Sequence, residues 1–232
     1  MTDTIVVAAP AKVNLYLAVG AAGTDGYHDV TTVLAALEFG DEVTIAQADA
    51  LSLVCTPDVG VAAEDNLAYR AAVAFAATCG REPSVALRVT KRVPAGAGLG
   101  GGSSDAAAVL RGLASLWGVD GDDTRLRETA VTLGADVPFF LDAPCALMGG
   151  RGDVLLRGID APQLDLVVVW PGEPVPTAAA YRAFDAAPAP VQPSPDALLA
   201  ALESGDRTGV AAHLHNAMTS ASAGLVPVIA DA

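Results

Sequence analysis

The run Lys91-Arg92-Val93-Pro94-Ala95-Gly96-Ala97-Gly98-Leu99-Gly100-Gly101-Gly102-Ser103-Ser104-Asp105 limits what this chain folds into more than any other stretch. Five glycines fall within the seven positions from Gly96 to Gly102, and glycine alone lets several successive amides turn inward with no Cβ in the way. A loop of that kind wraps a phosphate. Ser103, Ser104 and Asp105 read as the start of a helix running on from Ala106, because short oxygen-bearing side chains accept hydrogen bonds from first-turn amides. The positive end of the helix dipole, about half an elementary charge, adds to the loop amides to make an anion site. A flexible linker would be richer in serine and would lack the basic pair Lys91-Arg92.

The kind of phosphate loop is narrowed by what surrounds it. No Gly-Lys-Ser/Thr follows the glycines, which excludes a Walker A loop. Gly96, Gly98 and Gly101 match G-x-G-x-x-G, but a dinucleotide fold needs that motif directly after a strand, with an acidic residue ending a second strand about twenty residues on. Here Lys91 to Ala95 separate the strand-like Val85 to Val89 from Gly96, and Asp120 and Asp122 sit in a polar loop.

Elsewhere the chain alternates strand and helix signals. Ile5 to Ala9 reads as a strand interrupted by Pro10. From Val13, alternation points Val13, Leu15, Leu17 and Val19 one way and Lys12, Asn14 and Tyr16 the other, so Lys12 and Asn14 share a face that is either solvated surface or the floor of a site. Val30 to Leu37 and Glu42 to Ile45 read as strands joined across Gly40-Asp41, with Leu51 to Cys55 as another, and antiparallel hairpins are expected. A helix is expected from Asp65 or Asn66 to about Cys79, then a strand over Val85 to Thr90, the glycine loop with its helix to Gly118, and a helix from Asp120–Asp123 to Gly134. Asp136, two residues before Pro138, reads as a helix cap or a functional carboxylate. Gly149 to Asp153 is a turn between strands, where Arg151 is either a phosphate ligand or solvent-facing. Leu164 to Trp170 reads as a buried strand. Helices are expected over Thr177 to Phe184 and Asp196 to Glu203, between proline-rich loops, and from about Thr208 to Met218. His213 and His215 would face different sides of the last of these, so no metal site is read there.

Charge and cysteine content narrow the classes of partner. A formal net charge of -14 disfavours nucleic acid and anionic membrane, and obliges any phosphate ligand to be held by local positive groups. Three cysteines without C-x-x-C spacing, Cys55, Cys79 and Cys145, suggest buried thiols in a reducing compartment. No apolar run approaches the ~18 residues of a membrane span, and the first residues lack a basic leader; a cytoplasmic protein is expected.

The form Pro-x-Gly-x-Gly-Leu-Gly-Gly-Gly-Ser-Ser-x-Ala-Ala resembles the ATP loop of the GHMP kinases, the family of galactokinase, homoserine kinase and mevalonate kinase. Ala9-Pro10-Ala11-Lys12-Val13-Asn14-Leu15-Tyr16-Leu17, Asp25-Gly26-Tyr27-His28, Asp65-Asn66-Leu67 and Gly134-Ala135-Asp136-Val137-Pro138 match further motifs in the family's order. Asp-Gly-Tyr-His is similar to the branch whose acceptor alcohol is carried on cytidine diphosphate. The resemblance implies an ATP-dependent kinase using Mg²⁺, with a small-molecule cytidine diphosphate substrate. Asp136 would be the catalytic base, with Lys12 beside it. Pro94, Ala95, Gly96, Ala97, Gly98, Leu99, Gly100, Gly101, Gly102, Ser103 and Ser104 would hold the phosphates, with Asn66, Lys91 and Asp105 around the nucleoside. Asn14, Tyr27, His28, Thr177 and Tyr181 would bind substrate, Tyr181 stacking on the cytosine face opposite Tyr27 and His28. Ser104 is the candidate metal ligand.

The fold implied is α+β, a two-domain GHMP kinase architecture. An N-terminal domain like the second domain of ribosomal protein S5 would span 1–160, and a ferredoxin-like sheet-and-helix domain 161–232. Family members carry a third glycine-rich motif near the C-terminus, and none follows Pro227-Val228-Ile229, so the second domain is expected to be incomplete. A different GHMP kinase, and a nucleotide-binding module without activity, are the alternative readings.

Overall fold

In the computed structural model, which describes residues 4–24, 26–142, 144–187 and 191–231, β1 runs unbroken over Thr4–Ala22 and β2 over His28–Gln47. Asp25, Met1 to Asp3 and Pro188 to Pro190 of the second proline-rich loop lie outside the described residues. The expected break at Pro10 and turn at Gly40-Asp41 are both absent, for one reason. A Cβ at Gly40 would stand 2.4 Å from the Ala9 carbonyl oxygen and 2.6 Å from the Pro10 Cα. Without one, β2 passes close to the proline, whose ring has no N–H to place in the ladder.

The remaining elements are β3 (Ser52–Thr56), α1 (Leu67–Thr78), β4 (Val85–Thr90), α2 (Gly101–Trp117), α3 (Thr124–Leu133), β5 (Cys145–Gly149), β6 (Val154–Gly158), α4 (Thr177–Ala186), α5 (Asp196–Ser204), α6 (Arg207–Ala212), β7 (His215–Asn216) and α7 (Thr219–Leu225). Two compact units form: Met1–Lys12, Ala36–Ala95 and Leu99–Asp142, then Val13–Ala35, Gly96–Gly98 and Ala143–Ala232. β1 and β2 contribute to both.

In the first unit the strand order is β3-β4-β2-β1. β4 lies antiparallel to β2 but parallel to β3, so hairpins do not account for this sheet. Parallel neighbours need a crossover, and α1 supplies it. Asn66 caps α1 by accepting from the Ala68 amide at 2.9 Å. The helix then packs on α2, and Ala71 and Ala72 of α1 and Ala106 to Ala108 of α2 are fully buried.

In the second unit the order is β6-β5-β2-β1-β7. One core joins Leu15, Tyr16, Val33, Cys145 and Ile159 to Leu198 and Leu202 of α5. Another seats α4, through Ala180, Tyr181 and Phe184, on Val19, Val30 and Met218. The helix expected over Thr208 to Met218 is divided, because His215 and Asn216 pair in parallel with Tyr16 and Leu17 of β1. Sheet pairing overrides helical propensity there. The Gln192 carboxamide continues that edge, accepting from the Val19 amide at 2.6 Å and donating to the Val19 carbonyl at 2.7 Å.

Leu164 to Trp170 forms no strand, and Val167 is 91% exposed. An apolar run becomes a strand only where another strand takes up its hydrogen bonds, and none does so among the described residues. Among those residues, too, no helix is long and apolar enough to cross a membrane. Gly40→Ala is expected to cost about 1–3 kcal/mol, since backbone must shift to admit the methyl group. An unchanged urea midpoint would show that β1 and β2 have slack at this point.

Candidate active site

Lys12 lies on β1 where both faces are covered. It is 6% exposed, between Ala11 at 0% and Leu15 at 3%, which removes the solvated-surface reading. Its backbone N–H donates to the Leu99 carbonyl of the glycine loop at 2.9 Å, and its Nζ stands 3.7 Å from Asp136 Oδ2. One residue thus links the glycine loop to the carboxylate.

Asp136 is not a cap. The 3₁₀ turn Pro138–Leu141 has Val137 at its N-cap and no side-chain capping bond, so the carboxylate is left for other work. Arg111 on α2 fixes this turn, donating to the Phe140 carbonyl at 3.2 Å and to the Ala8 carbonyl of β1 at 2.7 Å. Burial lowers the guanidinium's affinity for its proton.

The glycine loop also departs from expectation. α2 starts at Gly101, not Ala106, so Ser103, Ser104 and Asp105 lie inside its first turns rather than capping them. Pro94 to Leu99 connect β4 to this start. The N-cap is Gly100, at φ +72° and with no side-chain capping bond. A Cβ there would be strained and would lie 2.9 Å from Lys12 Cγ and 3.0 Å from Phe140 Cζ. The first-turn amides of α2 are therefore uncapped by any side chain, which is what an anion site requires. Ser104 and Asp105 are buried, and Ser104 Oγ and Asp105 Oδ1 have no hydrogen-bond partner among the described residues. Both point to a ligand at this helix start.

Lys91 lies between two carboxylates, with its Nζ 2.5 Å from Asp41 Oδ2 and 2.7 Å from Asp105 Oδ2. Asp41 was not recognised in the sequence. Its Oδ1 accepts from the backbone amides of Arg92 at 2.5 Å and Val93 at 2.8 Å, so it anchors the chain entering the glycine loop. The Gly-Asp dipeptide looked like a turn, and turn chemistry accounts for such an aspartate without any buried role. Asn66 borders this region through its Nδ2, 3.6 Å from Cys55 Sγ. Burial raises the Asp105 carboxyl, and Lys91 only partly offsets it, leaving a pKa of about 6. Burial alone would lower Lys91; the two carboxylates prevail and raise it.

The second unit gathers the aromatic candidates. The His28 ring stacks on Tyr181 of α4 with centroids 4.9 Å apart and meets Phe184 edge-on at 6.3 Å. Stacked directly on each other, His28 and Tyr181 do not form two sides of a slot. His28 Nε2 is 2.8 Å from Asp185 Oδ1. Tyr27 is 56% exposed with the Arg151 guanidinium 3.7 Å above its ring, a cation–π contact. Asn14 donates to Thr32 Oγ1 at 2.9 Å, and Thr177 opens α4. No cluster of three metal-ligating side chains occurs among the described residues.

Residues 66–150 match the family described as GHMP kinases N terminal domain. The 4-diphosphocytidyl-2-C-methyl-D-erythritol kinase of Mycobacterium tuberculosis is 40% identical over 241 aligned positions, covering 100% of this chain and 75% of that protein. The enzyme of that name from Salinibacter ruber is 51% identical over 148 positions, 63% of this chain and 52% of the relative. Among solved structures, a 4-(cytidine 5'-diphospho)-2C-methyl-D-erythritol kinase matches with a TM-score of 0.76 at 35% identity, over 98% of this chain and 80% of that one. Homoserine kinase from Cytophaga hutchinsonii shares the fold, with a TM-score of 0.65 at 20% identity over 100% and 78%.

Two stability measurements test the buried charges. Lys91→Met leaves two carboxylates without their cation and is expected to cost about 3–5 kcal/mol in denaturant unfolding; a loss under about 1 kcal/mol would show that the pairing is incidental. For Asp105, the folded pKa of about 6 exceeds the ordinary 3.8. Between those values the folded chain holds a proton that the unfolded chain has released, so stability falls as pH rises through the window. Asp105→Asn is expected to flatten that slope relative to the parent, and identical slopes would refute the raised value.

Proposed function

Because the chain belongs to the 4-diphosphocytidyl-2-C-methyl-D-erythritol kinases, within the GHMP kinase family, we propose how its residues divide the work of that reaction. The chain is an ATP-dependent kinase of isoprenoid precursor synthesis. In our reading it transfers the γ-phosphoryl group of ATP to the 2-hydroxyl of 4-diphosphocytidyl-2-C-methyl-D-erythritol. The observation that carries the assignment is the Lys12–Asp136 pair, with Lys12 tied by its own backbone to the glycine loop.

Asp136 accepts the hydroxyl proton as the acceptor oxygen bonds to the γ-phosphorus. The bond to the bridging oxygen breaks, and ADP leaves with the electron pair. Lys12 steadies the charge on the attacking oxygen and the transferring group, since phosphoryl transfer depends mainly on positioning and electrostatics. The loop from Pro94 to Ser104, with the uncapped amides of α2, cradles the phosphates. Asn66, Lys91 and Asp105 border the nucleoside. Mg²⁺, when bound, neutralises phosphate charge, and the buried, unpartnered Ser104 Oγ fits the role of holding it. Asn14 and Thr177 place the acceptor, while Tyr27, His28 and Tyr181 border the cytosine, with stacking on the exposed Tyr27 ring contributing ~1–3 kcal/mol.

ADP release from ATP and Mg²⁺ is expected to depend on added 4-diphosphocytidyl-2-C-methyl-D-erythritol. Asp136→Asn should abolish it, a loss of about 10²-fold or more, while leaving ATP affinity within about threefold. A variant that turns over normally would remove Asp136 from the base role.

A further inference from the structure

His28 is 7% exposed at its side chain, and its contacts dictate which ring atom faces a ligand. Tyr181 covers a face and Phe184 meets an edge. Nε2 is engaged by Asp185 at 2.8 Å. An ionised carboxylate only accepts hydrogen bonds, so in the neutral ring the proton resides on Nε2 and Nδ1 carries a bare lone pair. No described residue hydrogen-bonds to Nδ1.

We propose that Asp185 is a positioning residue that makes His28 a reader of amino groups, and so selects cytosine over uracil. The inference rests on the cytosine-binding reading given above. The two bases differ at position 4, where cytosine carries an NH₂ donor and uracil a carbonyl acceptor. A bare Nδ1 accepts from the first and opposes the second, lone pair against lone pair. Without a fixed carboxylate the imidazole is free to move its proton to Nδ1 and donate to the carbonyl, and the choice is lost. Asp185 lies on α4 four residues after Tyr181, one helical turn on, so the same helix supplies the ring that covers His28 and the carboxylate that sets its tautomer.

The test compares 4-diphosphocytidyl-2-C-methyl-D-erythritol with its uridine counterpart, in the parent chain and in Asp185→Asn and Asp185→Ala. Asp185 is half-exposed, 49% at its side chain, so both variants are expected to fold. Asparagine keeps the shape but also offers an N–H to Nε2, which releases the tautomer. The parent is expected to favour the cytidine substrate in kcat/KM by about 10²-fold or more, since a site built around one hydrogen bond rejects the analogue lacking it. Both variants should lower that ratio at least tenfold, with much of the change in the uridine arm. In parallel, ¹⁵N spectra at about pH 8, above the ordinary imidazole range, should report His28 protonated on Nε2 in the parent and on both nitrogens in exchange in the variants. A merely structural Asp185 would lower both substrates together and leave the tautomer alone. Variants that keep the parent's ratio and tautomer overturn the role of Asp185 while the cytosine reading stands. A parent that uses both substrates alike overturns the cytosine reading and this proposal with it.

Discussion

A largely buried cation between two buried carboxylates holds the glycine loop of this protein in register. Asp41 comes from β2, Lys91 from the residue just after β4 and Asp105 from the second turn of α2, three segments with no local reason to meet. Asp41 also takes the amides of Arg92 and Val93, leaving the chain no freedom as it enters the glycine loop. Burying charge is expensive unless each charge is answered. Here the answering groups are the ones that define the loop, so a shift in any of the three segments would orphan a charge. That coupling keeps a glycine-rich stretch, floppy in isolation, in one conformation.

The chemistry of the site was more legible in the sequence than the fold that presents it. The glycines of the loop, Lys12, Asp136 and the Tyr27-His28 pair stand in short motifs whose residue types suggest the roles proposed for them. Geometry then decided between readings that the motifs left open. Lys12 could be surface until β1 proved covered on both faces, and Asp136 could be a cap until Val137 took that position. Asp41 and Arg111 carried no such signal. Their partners are backbone groups and a lysine about fifty residues away, and spacing along one chain does not encode that meeting.

The fold was misread where local signals compete with pairing. Pro10 and Gly40 each suggest an interruption alone, yet set opposite each other they allow two strands of 19 and 20 residues to continue. Ser103 to Asp105 have the chemistry of caps, but glycine in the left-handed region at Gly100 starts the helix earlier. Leu164 to Trp170 has the composition of a core strand and no strand beside it. In each case propensity named what a residue tolerates, and the neighbouring segment determined what it does.

The chain contains two lysines, Lys12 and Lys91, against eleven arginines, and both lysines lie in the candidate site. In each, an ammonium faces aspartate: Asp136 stands 3.7 Å from Lys12, and Asp41 and Asp105 stand 2.5 and 2.7 Å from Lys91. The exposed surface uses arginine, as at Arg125, Arg127 and Arg207, where a planar fork suits a single carboxylate. Lysine is a compact point charge that fits a confined cavity and adjusts to several oxygens around it. With a net charge of -14, the protein repels its own phosphate substrates at long range. In the proposed reaction, attraction is therefore local, from amides at the start of α2 and from Lys12.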